Sequence, residues 1–216
     1  MALSSTNGAI EDVIEIEGFF DCSCVWVYLA FAHIARFAAT AAVKVRWRPV
    51  LSAEVFDKVN PVSRFPLSKV KSDYYRRDLA QWAAYLERPL AFNPAHPADV
   101  THCMRACVAA DRWGRLEVFA LAALDAAWAQ GRDLGDPAVL AQLWVQAGLP
   151  ASSFEQGLTW PEVAAELHAN GRELMLRGGF GTPTFFVGDD MYFGNDAIPL
   201  LERAVGERLR GAGLAL

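Results

Sequence analysis

The sequence predicts an α/β domain interrupted by a long all-helical insertion. Three observations predict it. Strand-like runs occur only near the two ends of the chain, a helix-length segment joins the first two of them, and the spacing of apolar residues between positions 69 and 178 is helical, with strand signals scarce.

The elements follow in order. Residues 1–12 are small and polar and read as a flexible tail. "VIEIEGFF" (13–20) is short, rich in Val, Ile and Phe and partly alternating, which predicts a strand. Residues 25–40 form a helix with Leu29, Ile34 and Phe37 among its apolar positions, and residues 42–50 alternate Val43, Val45 and Trp47 against Lys44, Arg46 and Arg48 as a second strand. A connection of that length between two strands suits a parallel pair. The insertion opens with "SKVKSDYYRRDLAQWAAYLERP", an amphipathic helix stopped by Pro89, and continues with one or two helices broken near Gly114 and ended at Gly131. Asp136 before Pro137, and Thr159 or Trp160 before Pro161, each open a further helix. Residues 184–187 and 191–193, joined through Gly188-Asp189-Asp190, predict a hairpin, and a helix over 197–209 closes the fold. The expected organisation is a discontinuous domain, 13–50 with 180–216, around a helical insertion at 51–179.

The bounds on function are plain. The 216 residues are 53% hydrophobic and 21% charged, enough apolar content for a sizeable core. A net charge of -5 argues against a nucleic-acid partner. The most apolar stretch, 25–37, carries His33 and Arg36, so no membrane span is expected. "MALSSTNGAIEDV" lacks the basic start and apolar centre of a secretory signal, which predicts a cytoplasmic protein with reduced thiols.

Chemistry centres on "FFDCSCVWVYLA". Cys24 falls at the first turn of the helix over 25–40, where free N–H groups and the helix dipole favour an anion and lower a thiol pKa. Its position serves equally well a nucleophile or a small buried apolar residue. Cys22 reads as packing. No C-x-x-C occurs, because Val27 stands three after Cys24, so the resolving thiol of a dithiol oxidoreductase is missing. Cys103 and Cys107 share a helix face beside His102, and burial explains them better than a metal; no metal site is expected. His33, His96 and His168 are isolated. Pro183 marks the entry to a strand and is compatible with a cis bond. Asn195 or Asp196 would cap the last helix, or its N-terminus would receive a ligand carboxylate. Lys58, Lys69 and Lys71 read as a solvated face or as one wall of a cleft between the lobes.

Taken together, "FFDCSCVWVYLA", "KVKSDYYRRDLAQWAAYLERPL" and "GFGTPTFFVGDDMYFGNDAI" resemble the 2-hydroxychromene-2-carboxylate isomerases, relatives of the kappa-class glutathione transferases within the DsbA-like branch of thioredoxin folds. The resemblance runs from about residue 13 to 205, and it implies a thioredoxin-like fold with a helical insertion, glutathione as cofactor, and a homodimer. In that pattern Cys24 occupies the position of a serine that stabilises the glutathione thiolate, Thr182 before a cis Pro183 pairs with the glutathione backbone, and Asn195 and Asp196 hold its γ-glutamyl end. Asn60 and Lys69 match residues that contact glutathione from the junction. The implied reaction is isomerisation of a small aromatic-derived carboxylate by reversible thiolate addition, with Trp26, Tyr74 and Trp82 as candidates for the aromatic wall or for core packing. Two departures stand out: Cys24-Val25-Trp26 replaces serine-proline-aromatic, and Ala197 replaces an arginine suited to a substrate carboxylate. The alternatives are a one-cysteine thiol–disulfide oxidoreductase or glutathione transferase using Cys24, and a binding protein without chemistry.

Overall fold

The computed structural model describes residues 13–59, 68–92 and 99–213; the expected N-terminal tail, Asn60 and His96 lie outside them. Strand β1 (Ile14–Phe20) leads through helix α1 (Val25–Thr40) to β2 (Val43–Pro49). The hairpin comes from the other end of the chain, as β3 (Thr184–Val187) and β4 (Asp190–Phe193). The four strands form one sheet in the order β2-β1-β3-β4. β1 runs parallel to β2, with Ile14 opposite Val43 and Phe20 opposite Pro49, and antiparallel to β3, with Glu17 opposite Phe186. A central strand buried on both faces needs apolar side chains both ways, and the Phe19-Phe20 end of β1 is fully buried.

Between the two halves lie α2 (Ser52–Val59), α3 (Lys69–Tyr85), α4 (Thr101–Asp111), α5 (Leu116–Trp128), α6 (Pro137–Gln146), α7 (Phe154–Thr159) and α8 (Pro161–Leu176); α9 (Ile198–Gly211) ends the fold. The break between α4 and α5 is at Gly114, whose φ of 63° a side chain would disfavour. Asp136 caps α6 by accepting from the Ala138 N–H at 2.8 Å. Two helices were not legible: α2 and α7 are 8 and 6 residues long, too short to show a helical period. α3 ends at Tyr85, ahead of Pro89, and Glu87 then takes a positive φ of 54°.

One continuous buried cluster joins the sheet to the inserted helices. Its centre is aromatic. Trp47 of β2 stacks on Phe31 of α1 with ring centroids 3.7 Å apart, and meets Phe20 and Phe185 edge-on. Gly18 permits that approach, since a methyl there would lie 2.7 Å from the Trp47 ring. Each buried ring stabilises the fold by about 1.5–3 kcal/mol relative to exposure. The sheet is tied to α8 by charge: Arg48 donates to Glu17 at 3.0 Å and to Asn170 at 2.9 Å and pairs with Glu173, while Arg177 donates to Glu17 at 2.7 Å.

Candidate functional site

The loop from β1 into α1 and the loop into β3 meet at the C-terminal end of β1. Asp21, 2% exposed, accepts from the Ser23 N–H at 2.8 Å and from the Ser52 N–H at 2.7 Å, and so ties the start of α1 to the start of α2. Burial pushes its carboxyl above the usual range, against the pull of those two N–H donors.

Cys24 is the N-cap residue of α1, with extended backbone, and its carbonyl accepts from the Val27 and Tyr28 N–H groups. Its thiol donates to the Thr182 carbonyl at 3.4 Å and makes no capping hydrogen bond to the helix N–H groups, although those of Val27 and Trp26 at the helix start pull its pKa down. A thiol pKa below normal was expected from the helix start. The structure reverses that: burial pushes it up and the Asp21 carboxylate adds to the rise, which outweighs the helix amides and Thr182. Cys22 is buried in the core, and all four cysteines are free thiols.

The Thr182-Pro183 peptide bond is cis. The Thr182 hydroxyl hydrogen-bonds the Ser52 hydroxyl at 2.8 Å, and the Pro183 carbonyl accepts from the Gly194 N–H at 2.9 Å. Gly194, at φ 91°, turns the chain out of β4 into a single 3-10 turn, Asn195–Ala197, that packs on α1. Asn195 is 1% exposed, yet neither its Oδ1 nor its Nδ2 finds a partner among the described residues. Such a group costs free energy until something completes it. Asp196 beside it is exposed.

Cys24, Thr182, Pro183 and Asn195 are thus linked through successive contacts. Trp26, in the first turn of α1, meets Tyr75 of α3 edge-on at 5.8 Å. Lys69 is the first residue of α3, largely exposed, and pairs with Asp73 of its own helix at 2.6 Å. Tyr74 is 60% exposed on the same helix, and Trp82 packs edge-on against Tyr85 and against the core. Asn60 falls outside the described residues.

Sequence reasoning missed Asp21, Ser52, Phe180 and Phe193. Phe180 and Phe193 are both partly exposed, with centroids 4.4 Å apart beside the cis-proline loop. Gly181 between them leaves room for the rings, because a methyl there would lie 2.9 Å from Phe56 and 3.1 Å from Phe193. The adjacency of Asp21 to the helix-start cysteine was a usable signal; the pairing of Phe180 with Phe193 had none. The two described concavities lie elsewhere. A groove of about 440 Å³ is lined by His33, Arg36, Phe37 and Glu202 toward the far end of α1, and a smaller one of about 80 Å³ lies between α2 and α8. No helix among the described residues is long and apolar enough to cross a membrane.

Comparison with known proteins agrees with this architecture. The profile of the DSBA-like thioredoxin domain matches residues 15–206. A 2-hydroxychromene-2-carboxylate isomerase from Sphingobium xenophagum is 28% identical over 190 residues, covering 87% of this chain and 95% of that one. A solved structure of 2-hydroxychromene-2-carboxylate isomerase superposes with a TM-score of 0.81 at 25% identity, over 93% of this chain and 98% of that one. The cytosolic disulfide reductase DsbM from Pseudomonas aeruginosa, solved with GSH, shares the fold at a TM-score of 0.64 and 18% identity, over 91% of this chain and all of that one. The sheet order, the cis-proline loop facing a helix-start cysteine and the profile match together place the chain in the DSBA-like thioredoxin domain family.

Proposed function

We propose that this protein is a glutathione-dependent isomerase of a small aromatic-derived carboxylate, of the 2-hydroxychromene-2-carboxylate type, working in the cytoplasm as a homodimer. The observation that carries the reading is Asn195. A side chain with two hydrogen-bonding atoms, fully buried and unpartnered beside the cis-proline loop, suits a polar ligand that supplies both a donor and an acceptor. The γ-glutamyl end of glutathione offers both.

Glutathione, when bound, supplies the thiolate that adds reversibly to a conjugated carbon of the substrate. The chain's own residues do the rest. The N–H groups of Trp26 and Val27 at the positive end of α1 favour negative charge beside Cys24. Cys24, half-buried and with its thiol pKa raised by burial, keeps a hydrogen to donate, now to Thr182, and fills the hydrogen-bonding role of a serine. Asp21 holds the α1 and α2 starts in register through Ser23 and Ser52. Phe180, Phe193 and Trp26 offer an apolar wall that would exclude water from a planar substrate. Lys69 and Asp196 are proposed to reach the ligand from the rim, and Asn60 is proposed as a further contact on the sequence pattern alone.

The test is an isomerisation assay on 2-hydroxychromene-2-carboxylate, followed by its absorbance, with and without glutathione. Turnover that needs glutathione and survives Cys24→Ser supports the reading. Turnover absent with glutathione present refutes it. Loss of all activity in Cys24→Ser, with glutathionylated substrates reduced by the unaltered protein, would replace it with thiol–disulfide exchange at Cys24.

A further inference from the structure

The three cysteines that the proposed reaction leaves unused come together. Cys22, from the loop after β1, meets Cys103 and Cys107, one turn apart on α4, and the three sulfurs lie within 4.8 Å of one another. All are 1% exposed or less. The thioether of Met104 accepts from the Cys22 N–H at 3.3 Å. The Trp128 indole N–H donates to the Cys22 carbonyl at 2.9 Å and fixes the loop that presents Cys22. Bonds of roughly 2.3 Å from one centre to three thiolates at pyramidal angles set the sulfurs roughly 3.5 Å apart, so small rotations of three side chains would seat one ion.

We propose that Cys22, Cys103 and Cys107 form a three-thiol site for a trivalent, thiol-seeking ion of the arsenite class. Charge selects the ion. The three sulfurs sit in a fully buried, largely apolar surround. Three thiolates around a monovalent or divalent soft cation would leave a net negative complex in that dry core, which desolvation makes costly. Around a trivalent centre the complex is neutral. Arsenous acid is itself uncharged, and its reaction balances without oxidant or reductant: three S–H bonds and three As–O bonds break, three As–S bonds form, and three waters leave. Zinc sites, by contrast, want four strong ligands, and the thioether is a poor fourth.

The experiment uses the full chain, reduced and refolded in the presence of arsenite so that burial does not bar entry, then freed of unbound arsenic. One arsenic per chain is expected, with an intact mass raised by one arsenic less three hydrogens and X-ray absorption showing three sulfur neighbours. Cys24→Ser should bind equally, and Cys22→Ala, Cys103→Ala and Cys107→Ala should each lose at least tenfold in retained arsenic. The absorption measurement needs no variant, so a misfolded substitution does not leave the question open. No retained arsenic, two sulfur neighbours, binding that follows Cys24, or zinc held in preference to arsenite would each overturn the proposal.

Discussion

Asn195→Leu should make the free protein more stable and the ligand-bound protein weaker. The buried amide has two unpartnered polar atoms, and leucine has the same branched skeleton with bulkier methyls in their place. Each unsatisfied buried polar group costs about 1–3 kcal/mol. Taking roughly 1–3 kcal/mol for the pair after repacking, and about 2–4 °C per kcal/mol for a domain of this size, the melting temperature should rise by about 2–12 °C. Binding should fall, since losing two hydrogen bonds to a desolvated ligand end costs about 2–4 kcal/mol, or roughly 30–1,000-fold. The assay is calorimetry of the reduced protein with S-methylglutathione, which forms no disulfide, together with thermal melts at both ligand extremes. At 100 times Kd the unaltered protein gains about 2.7 kcal/mol from the ligand, so the order of stabilities should shrink or invert as ligand is added. A variant that melts lower without ligand and binds S-methylglutathione as tightly as before would refute the assignment of Asn195 to a ligand.

Other consequences are equally concrete. Alkylation of Cys24 by iodoacetamide should be slow at pH 7 and climb past the ordinary thiol value of 9.0, because burial raises this thiol; a rapid reaction at pH 7 would show that the helix amides prevail after all. Glu17 loses some anion stability to burial, but the hydrogen bond and charge of Arg177, with Arg48 and Arg46, bring its pKa down on balance. Its contribution is therefore whole above the unfolded carboxylate value of about 4.3 and disappears as the pH falls through the lower folded value. Glu17→Gln should cost about 2 kcal/mol at neutral pH and flatten that acid limb in denaturant melts. Gly18→Ala should destabilise by about 1–3 kcal/mol, since the new methyl meets a Trp47 ring already clamped against Phe31; an unchanged melting point would show that the ring gives way freely.

What the sequence by itself determined was the order of the elements and the chemistry of single positions. Period-two runs at the ends and helical spacing between them are local signals, written into adjacent residues, and so β1, α1, β2 and the hairpin were legible to within a residue or two. Cys24 at the helix start and Pro183 at the strand entry were legible for the same reason. Three things were decided only by tertiary structure. Whether Cys24 is acidic depended on competition between the helix amides and burial beside Asp21, and burial is a property of the packed chain. Whether Asn195 caps the last helix depended on a count of partners in space: among the described residues it makes no capping bond and has no other partner. Cys22 and Cys103 are 81 positions apart in the chain, and only the packing of α4 beneath the β1–α1 loop brings their sulfurs together. Local pattern fixes conformation because backbone preferences act over a few residues, whereas pKa, hydrogen-bond satisfaction and ligand geometry depend on neighbours that the fold alone supplies.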